Sequence, residues 1–178
     1  MTWDAHHRRG EVLRNVVDEV NSRRDGSLPT QLPGVEATFA DDLELVAALQ
    51  LRWHTRLSGR IDRALLDQPA DLEAAVLDAW RWTAREMPGV RAVLDTHLEH
   101  PTSAAMEQAL TRALDKERAL LAAMAGLASV RDTAAVRVGE RLEATARASV
   151  RASRVGTHRR ESVERPTLIG RLKAVLAA

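Results

Sequence analysis

The sequence predicts an all-α protein, an up-and-down bundle of about five helices with a basic C-terminal tail ending in a short amphipathic helix. Three observations carry that prediction. Alanine and leucine dominate the apolar content, Tyr is absent and Phe occurs once, a composition that suits helices better than strands. Apolar residues recur at threes and fours over several long stretches, which is the period of a helix with one buried face. Hydrogen-bond acceptors stand before many of these stretches, and Pro or Gly stands after them.

The elements follow in order. Asp4 opens a first helix to about Arg24, with Val12, Leu13, Val16, Val17 and Val20 on one side, and Asp25-Gly26 ends it. Ser27 to Ala40, with Pro29, Pro33 and Gly34, reads as irregular, either a strap across the bundle or a binding loop. Asp41-Asp42-Leu43-Glu44 has the form of a capping box and opens a helix to about Leu66. Its stripe is Leu43, Val46, Ala47, Trp53, Leu57, Ile61, Ala64 and Leu65.

Asp71 caps the next helix, with Leu72, Ala75, Val76, Ala79, Trp80 and Met87 as its stripe and Pro88-Gly89 as its stop. A short helix spans about Val90 to His100 and ends at Pro101. Thr102 or Ser103 caps a long helix to about Ala125, striped by Met106, Ala109, Leu110, Ala113, Leu114, Leu120, Leu121 and Met124. The last helix of the body is expected over about Asp132 to Ala152, with a weaker, Ala-rich face at Val138, Leu142, Ala146 and Val150. Such a face suits close packing within one chain or between subunits, so a homo-oligomer stays open. Short connections imply antiparallel neighbours.

The organisation is therefore a helical body over 1–152, a basic flexible linker over 153–165 and an amphipathic docking segment over 166–178. In that last segment Leu168, Ile169, Leu172, Val175 and Leu176 share one face of a helical wheel. A helix this short is marginal alone in water and is expected to order by docking on something.

Composition narrows the function classes. The chain has no Cys, which excludes disulfides, thiolate metal sites and cysteine nucleophiles. Net charge is +1, but residues 147–178 hold eight Arg or Lys against Glu161 and Glu164, a net +6, while the first 146 residues carry a net −5. The polar start has no apolar core of a secretory signal and no stretch is apolar enough to span a membrane, so a cytoplasmic location is the expectation. Nucleic acid is a disfavoured partner, because the body is acidic and no aromatic interleaves the tail arginines. There is no glycine-rich phosphate loop, helix-turn-helix or Ser/His/Asp motif context.

Several predicted stripes carry a polar residue: Gln50 and His54, Thr83, His97 and Glu117. Burying such groups is costly unless they pair, ligate or react. His54, His97 and Glu117, from three helices, are candidate ligands for an unknown divalent metal in the bundle core. The competing expectation is a closed hydrogen-bonded network of imidazoles and carboxylate that fixes helix register. Trp53 and Trp80 read as core, whereas Trp82 lies off its stripe between Arg81 and Arg85 and marks either an interface or a patch beneath the 27–40 strap.

Two short resemblances add expectations. Arg91 and His97 match the Arg-x(4–6)-His spacing of the helical HEPN ribonucleases, in which the pair acts on an RNA phosphate. On a helix, however, the two lie about 120° apart. Leu168-Ile169-Gly170-Arg171-Leu172-Lys173 resembles the C-terminal cargo-loading peptides of encapsulin nanocompartments, which carry Ile/Val-Gly-Ser-Leu-Lys/Arg after a flexible linker. Ile169, Gly170, Leu172 and Lys173 match, and Arg171 stands where Ser is usual. That resemblance implies a helical cargo protein held inside a shell.

The expected function is a non-enzymatic interaction or regulatory protein that docks a protein partner through Leu168–Leu176, with Trp82 as a second contact. The alternative is a metal- or cofactor-binding bundle, ferritin-like in general architecture, using His54, His97 and Glu117.

Overall fold

Side-chain acceptors begin three of the long helices where the sequence places them. The computed structural model describes the backbone of residues 3–129 and 132–163, with side chains over 7–129 and 132–152. Among these residues it has no strand and seven helices: α1 (Trp3–Arg23), α2 (Val35–Thr38), α3 (Asp42–Leu66), α4 (Leu72–Glu86), α5 (Pro88–Glu99), α6 (Ala104–Met124) and α7 (Ala135–Val163). Asp41 accepts the Glu44 N–H at 2.8 Å, Asp71 the Ala74 N–H at 2.9 Å and Ser103 the Met106 N–H at 3.1 Å. Glu44 reaches back to the N–H of Ala40 at 2.7 Å, one residue before the cap, and pairs with Arg9 at 2.8 Å.

The short helix expected over about Val90 to His100 is α5, and the one helix among the described residues that the sequence reading left irregular is α2, a single turn inside the strap. Pro88 does not merely stop α4: it occupies the first turn of α5, where a missing N–H is harmless. Met87 gives no side-chain cap. Asn21, at the end of α1, supplies it from across the chain, its Oδ1 accepting the N–H of Gly89 at 2.9 Å. Gly89 is required here because a Cβ would lie 1.8 Å from the Val20 carbonyl oxygen.

The 27–40 segment does strap the body. Val35 and Phe39 are buried in the core, Leu28 and Leu32 pack against it, and Arg9 of α1 donates to the Thr38 carbonyl at 3.0 Å while lying over the Phe39 ring. α3 and α4 run antiparallel, as the pairs Arg56–Glu86 and Arg60–Trp82 show by their opposite drift in number. α7 packs against α6 and α4. It comes close to α6 at Gly139, where a Cβ would lie 1.9 Å from the Arg118 carbonyl oxygen. Ala135, Leu142, Ala146 and Val150 are buried within the chain itself, so this small-residue face is used to bring α6 and α7 together.

α7 runs as backbone helix to Val163, through the first part of the Arg-rich stretch that begins at 153, and no proline interrupts it between Ala135 and Val163. The docking segment Leu168, Ile169, Leu172, Val175 and Leu176, with its encapsulin-like motif, lies outside the described residues. In α3 the buried stripe is Leu45, Val46, Leu49, Trp53, Leu57 and Ile61, with Ala47 exposed. The stripe therefore begins on Leu45 and Leu49, not on Leu43 and Ala47, and the face bearing Gln50 and His54 turns to the edge of the core. No helix among the described residues is long and apolar enough to cross a membrane.

Candidate functional site

Polar chemistry gathers in two places, one buried and one open. The buried place begins with Glu117 of α6, which is fully enclosed. A carboxylate so placed needs donors, and two tryptophans supply them. The indole N–H of Trp53 (α3) donates to Oε2 at 2.9 Å and that of Trp80 (α4) to Oε1 at 3.2 Å. The two rings pack edge to face with centroids 5.8 Å apart. One carboxylate thus pins three helices.

Arg91 of α5 adds the compensating charge. Its Nη1 lies 3.9 Å from Glu117 Oε1, without a hydrogen bond, and its guanidinium carbon lies 5.1 Å from the Trp53 centroid. Its other nitrogens bind Asp95 Oδ1 at 2.9 and 2.7 Å. Asp95 in turn holds Arg147 of α7 through two bonds of 2.8 Å. Arg147 lies over the Trp80 ring and donates to Glu143 at 2.8 Å, and Glu143 accepts Arg118 of α6 at 2.9 Å.

The electrostatics follow from this alternation. Burial by itself pushes the carboxyls of Asp95 and Glu143 up, but the arginines around them outweigh it and hold both below the usual carboxylate range. Burial likewise opposes the charge of Arg147, and its two carboxylates more than reverse that. Asp95, Glu143 and Arg147 therefore stay ionised together.

The predicted metal ligands do not meet here. His97 is half-buried, with Nδ1 2.8 Å from the Val93 carbonyl of its own helix. His54 is half-buried and lines a separate apolar groove of about 290 Å³ between α3 and α6, beside Gln50, Leu51, Leu110 and Ala113. Glu117 has both oxygens taken by indoles. Among the described residues no three His, Asp or Glu side chains are arranged to hold a metal ion. The network around Glu117 is thus closed by indoles and guanidiniums and not by imidazoles. Thr83 is buried and donates to the Ala79 carbonyl at 2.8 Å, a local bond with no further partner needed. Arg91 and His97, the pair with HEPN-like spacing, are held by different partners, Asp95 and the Val93 carbonyl.

The open place surrounds Trp82. This ring is half-buried on α4, outside the core and apart from the strap, with Arg60 of α3 4.0 Å and Arg56 5.1 Å from its centroid. It lines a groove of about 880 Å³ between α3 and α4, whose charged residues are Arg60, Arg63, Arg81 and Arg85 against Asp67 and Asp78. Arg81 is committed to Asp78 at 2.8 Å and to Ser149 of α7 at 2.6 Å, and Arg56 to Glu86. Arg60 and Arg63 have no carboxylate partner among the described residues.

Sequence reasoning placed Glu117, Trp53 and Trp80 correctly inside and singled out Trp82. It missed Asp95, Glu143 and Arg147, whose only local signal is opposite charge four residues apart at Arg91–Asp95 and Glu143–Arg147. The chain matches no family model, no curated protein and no solved structure.

Proposed function

We propose that this chain is a non-enzymatic helical interaction protein that docks a protein partner, with the groove around Trp82 as the contact on its body and the amphipathic segment Leu168–Leu176 as a second contact. The observation that supports this reading is the composition of the groove: a half-buried Trp flanked by arginines in an open concavity of about 880 Å³. Trp and Arg are the residues most enriched at interface hot spots, because each offers a large contact area and a directed polar edge. The buried polar residues serve the fold in this reading. Apart from Nη1 of Arg91, their donors and acceptors are matched to one another across α3–α7.

The test is quantitative affinity capture from the native host, with the full chain, a Trp82→Ala/Arg60→Ala variant and a chain truncated before Pro166. One stoichiometric protein recovered by the full chain, lost with the double variant and reduced with the truncation, is the expected outcome. Identical recovery by all three proteins overturns the reading.

A further inference from the structure

Resting on the docking reading, we infer that the Trp82 groove accepts an acidic segment of another protein, one whose Asp or Glu carboxylates meet Arg60 and Arg63 while an apolar residue packs at the indole. Arg60 and Arg63 are one turn apart on the α3 lip, so that lip carries positive charge at helical spacing, while on the α4 lip Arg81 is already paired with Asp78. A guanidinium held against an indole keeps its edge N–H groups available for a carboxylate, and stacking removes some of its conformational freedom beforehand. Ala64, Pro69 and Ala75 supply apolar lining beside the indole.

The other occupants fit less well. The chain's own C-terminal segment is basic, with Arg171 and Lys173 among its apolar residues and a net +6 over 147–178, so like charge keeps it from this groove. A long polyanion would meet the net −5 of the first 146 residues and the Asp67 and Asp78 rims, and a single indole gives no succession of stacking platforms for bases. A short acidic segment avoids the charge of the rest of the body, because charges more than about 8 Å away are screened at physiological ionic strength, and within the groove it meets Asp78 already paired with Arg81.

The test uses the full chain and a short fluorescein-labelled peptide of glutamate and leucine at helical spacing, read by fluorescence anisotropy at low and at physiological salt. Arg60→Glu/Arg63→Glu should weaken binding about tenfold or more, and Arg60→Gln/Arg63→Gln by less. Arg52→Glu/Arg112→Glu, the same charge change at exposed sites outside the groove, should leave binding within about twofold. Circular dichroism of each variant confirms its fold.

Equal weakening by both Glu pairs overturns the proposal, since net charge alone would then govern binding. So does absence of peptide binding at low salt, or tighter binding of oligo-dT with the same dependence on Arg60 and Arg63, which would make this a nucleic-acid surface. A dimer in sedimentation that Arg60→Glu/Arg63→Glu dissociates, and with which the peptide does not compete, assigns the groove to a second copy. Should the peptide fail while Trp82→Ala/Arg60→Ala still abolishes partner capture, the acidic chemistry falls and the docking reading stands.

Discussion

Trp80 and Trp82 are separated by one residue on the same helix, and each has arginine at its face, yet they belong to opposite kinds of environment. Around Trp80 every charge is answered: Glu117 by two indoles and Arg91, Asp95 by Arg91 and Arg147, Glu143 by Arg147 and Arg118. Around Trp82 the charges stay unbalanced, with Arg60 and Arg63 lacking a carboxylate among the described residues. The same pair of residue types therefore does two jobs. Enclosed and neutralised, Trp and Arg lock helices in register; half-exposed and uncompensated, they are disposed for something outside the chain.

The strongest way to break this contrast is to uncouple the buried side. Arg147→Met leaves Asp95 with Arg91 alone and Glu143 with Arg118 alone, and should destabilise the fold by about 3 kcal/mol as two carboxylates each lose a charge-assisted partner. Urea unfolding measures it, and a loss below about 1 kcal/mol would show that water solvates these carboxylates freely. The pH dependence has a definite sign. In the folded chain Asp95 and Glu143 hold protons more weakly than in the unfolded chain, where such groups titrate near about 4. Their contribution is thus fully present above that value and is lost as pH falls through the lower folded values. In Arg147→Met the opposing effect of burial gains ground, so the acid-unfolding midpoint should move up.

Glu117→Gln is the next effect in size and dissects the clamp itself. A carboxylate offers an acceptor to each indole, whereas an amide offers one oxygen and turns a donor toward the other N–H. One indole is left unpaired, and Arg91 is deprived of its buried counter-charge. A loss of about 2 kcal/mol is expected, with a changed near-ultraviolet dichroism from Trp53 and Trp80. Full stability with an unaltered spectrum would mean that only the volume of Glu117 matters.

Periodicity made much of this legible. Trp53, Trp80 and Glu117 fall inside because each continues a run of apolar residues at threes and fours, and the caps at Asp41, Asp71 and Ser103 are local chemistry. His54 and Gln50 were less readable because two apolar stripes overlap at the start of α3, and packing against the other helices selects Leu45 and Leu49 over Leu43 and Ala47. Asp95, Glu143 and Arg147 were hidden for a different reason. A charged residue on a helix normally signals a solvated face, and only the meeting of α5, α6 and α7 supplies the partners that offset the cost of its burial. Cross-chain capping of α5 by Asn21 was hidden in the same way, since its donor and acceptor are far apart in sequence.

The smallest effect sharpens the contrast most. Arg60→Ala/Arg63→Ala removes two guanidiniums from the open groove, and the only interaction within the fold that this takes away among the described residues is the stacking of Arg60 on Trp82. Exposed cation–π interactions contribute about 0.5–1 kcal/mol, so the melting temperature should move by only a few degrees. A residue retained for stability would show its effect here, and a residue retained for recognition would show it in binding alone. A drop comparable to that of Arg147→Met would place Arg60 and Arg63 with the structural arginines and collapse the distinction between the two tryptophans. A near-native melting temperature together with abolished partner binding would mean that the charges left unmatched on α3 act outside the fold.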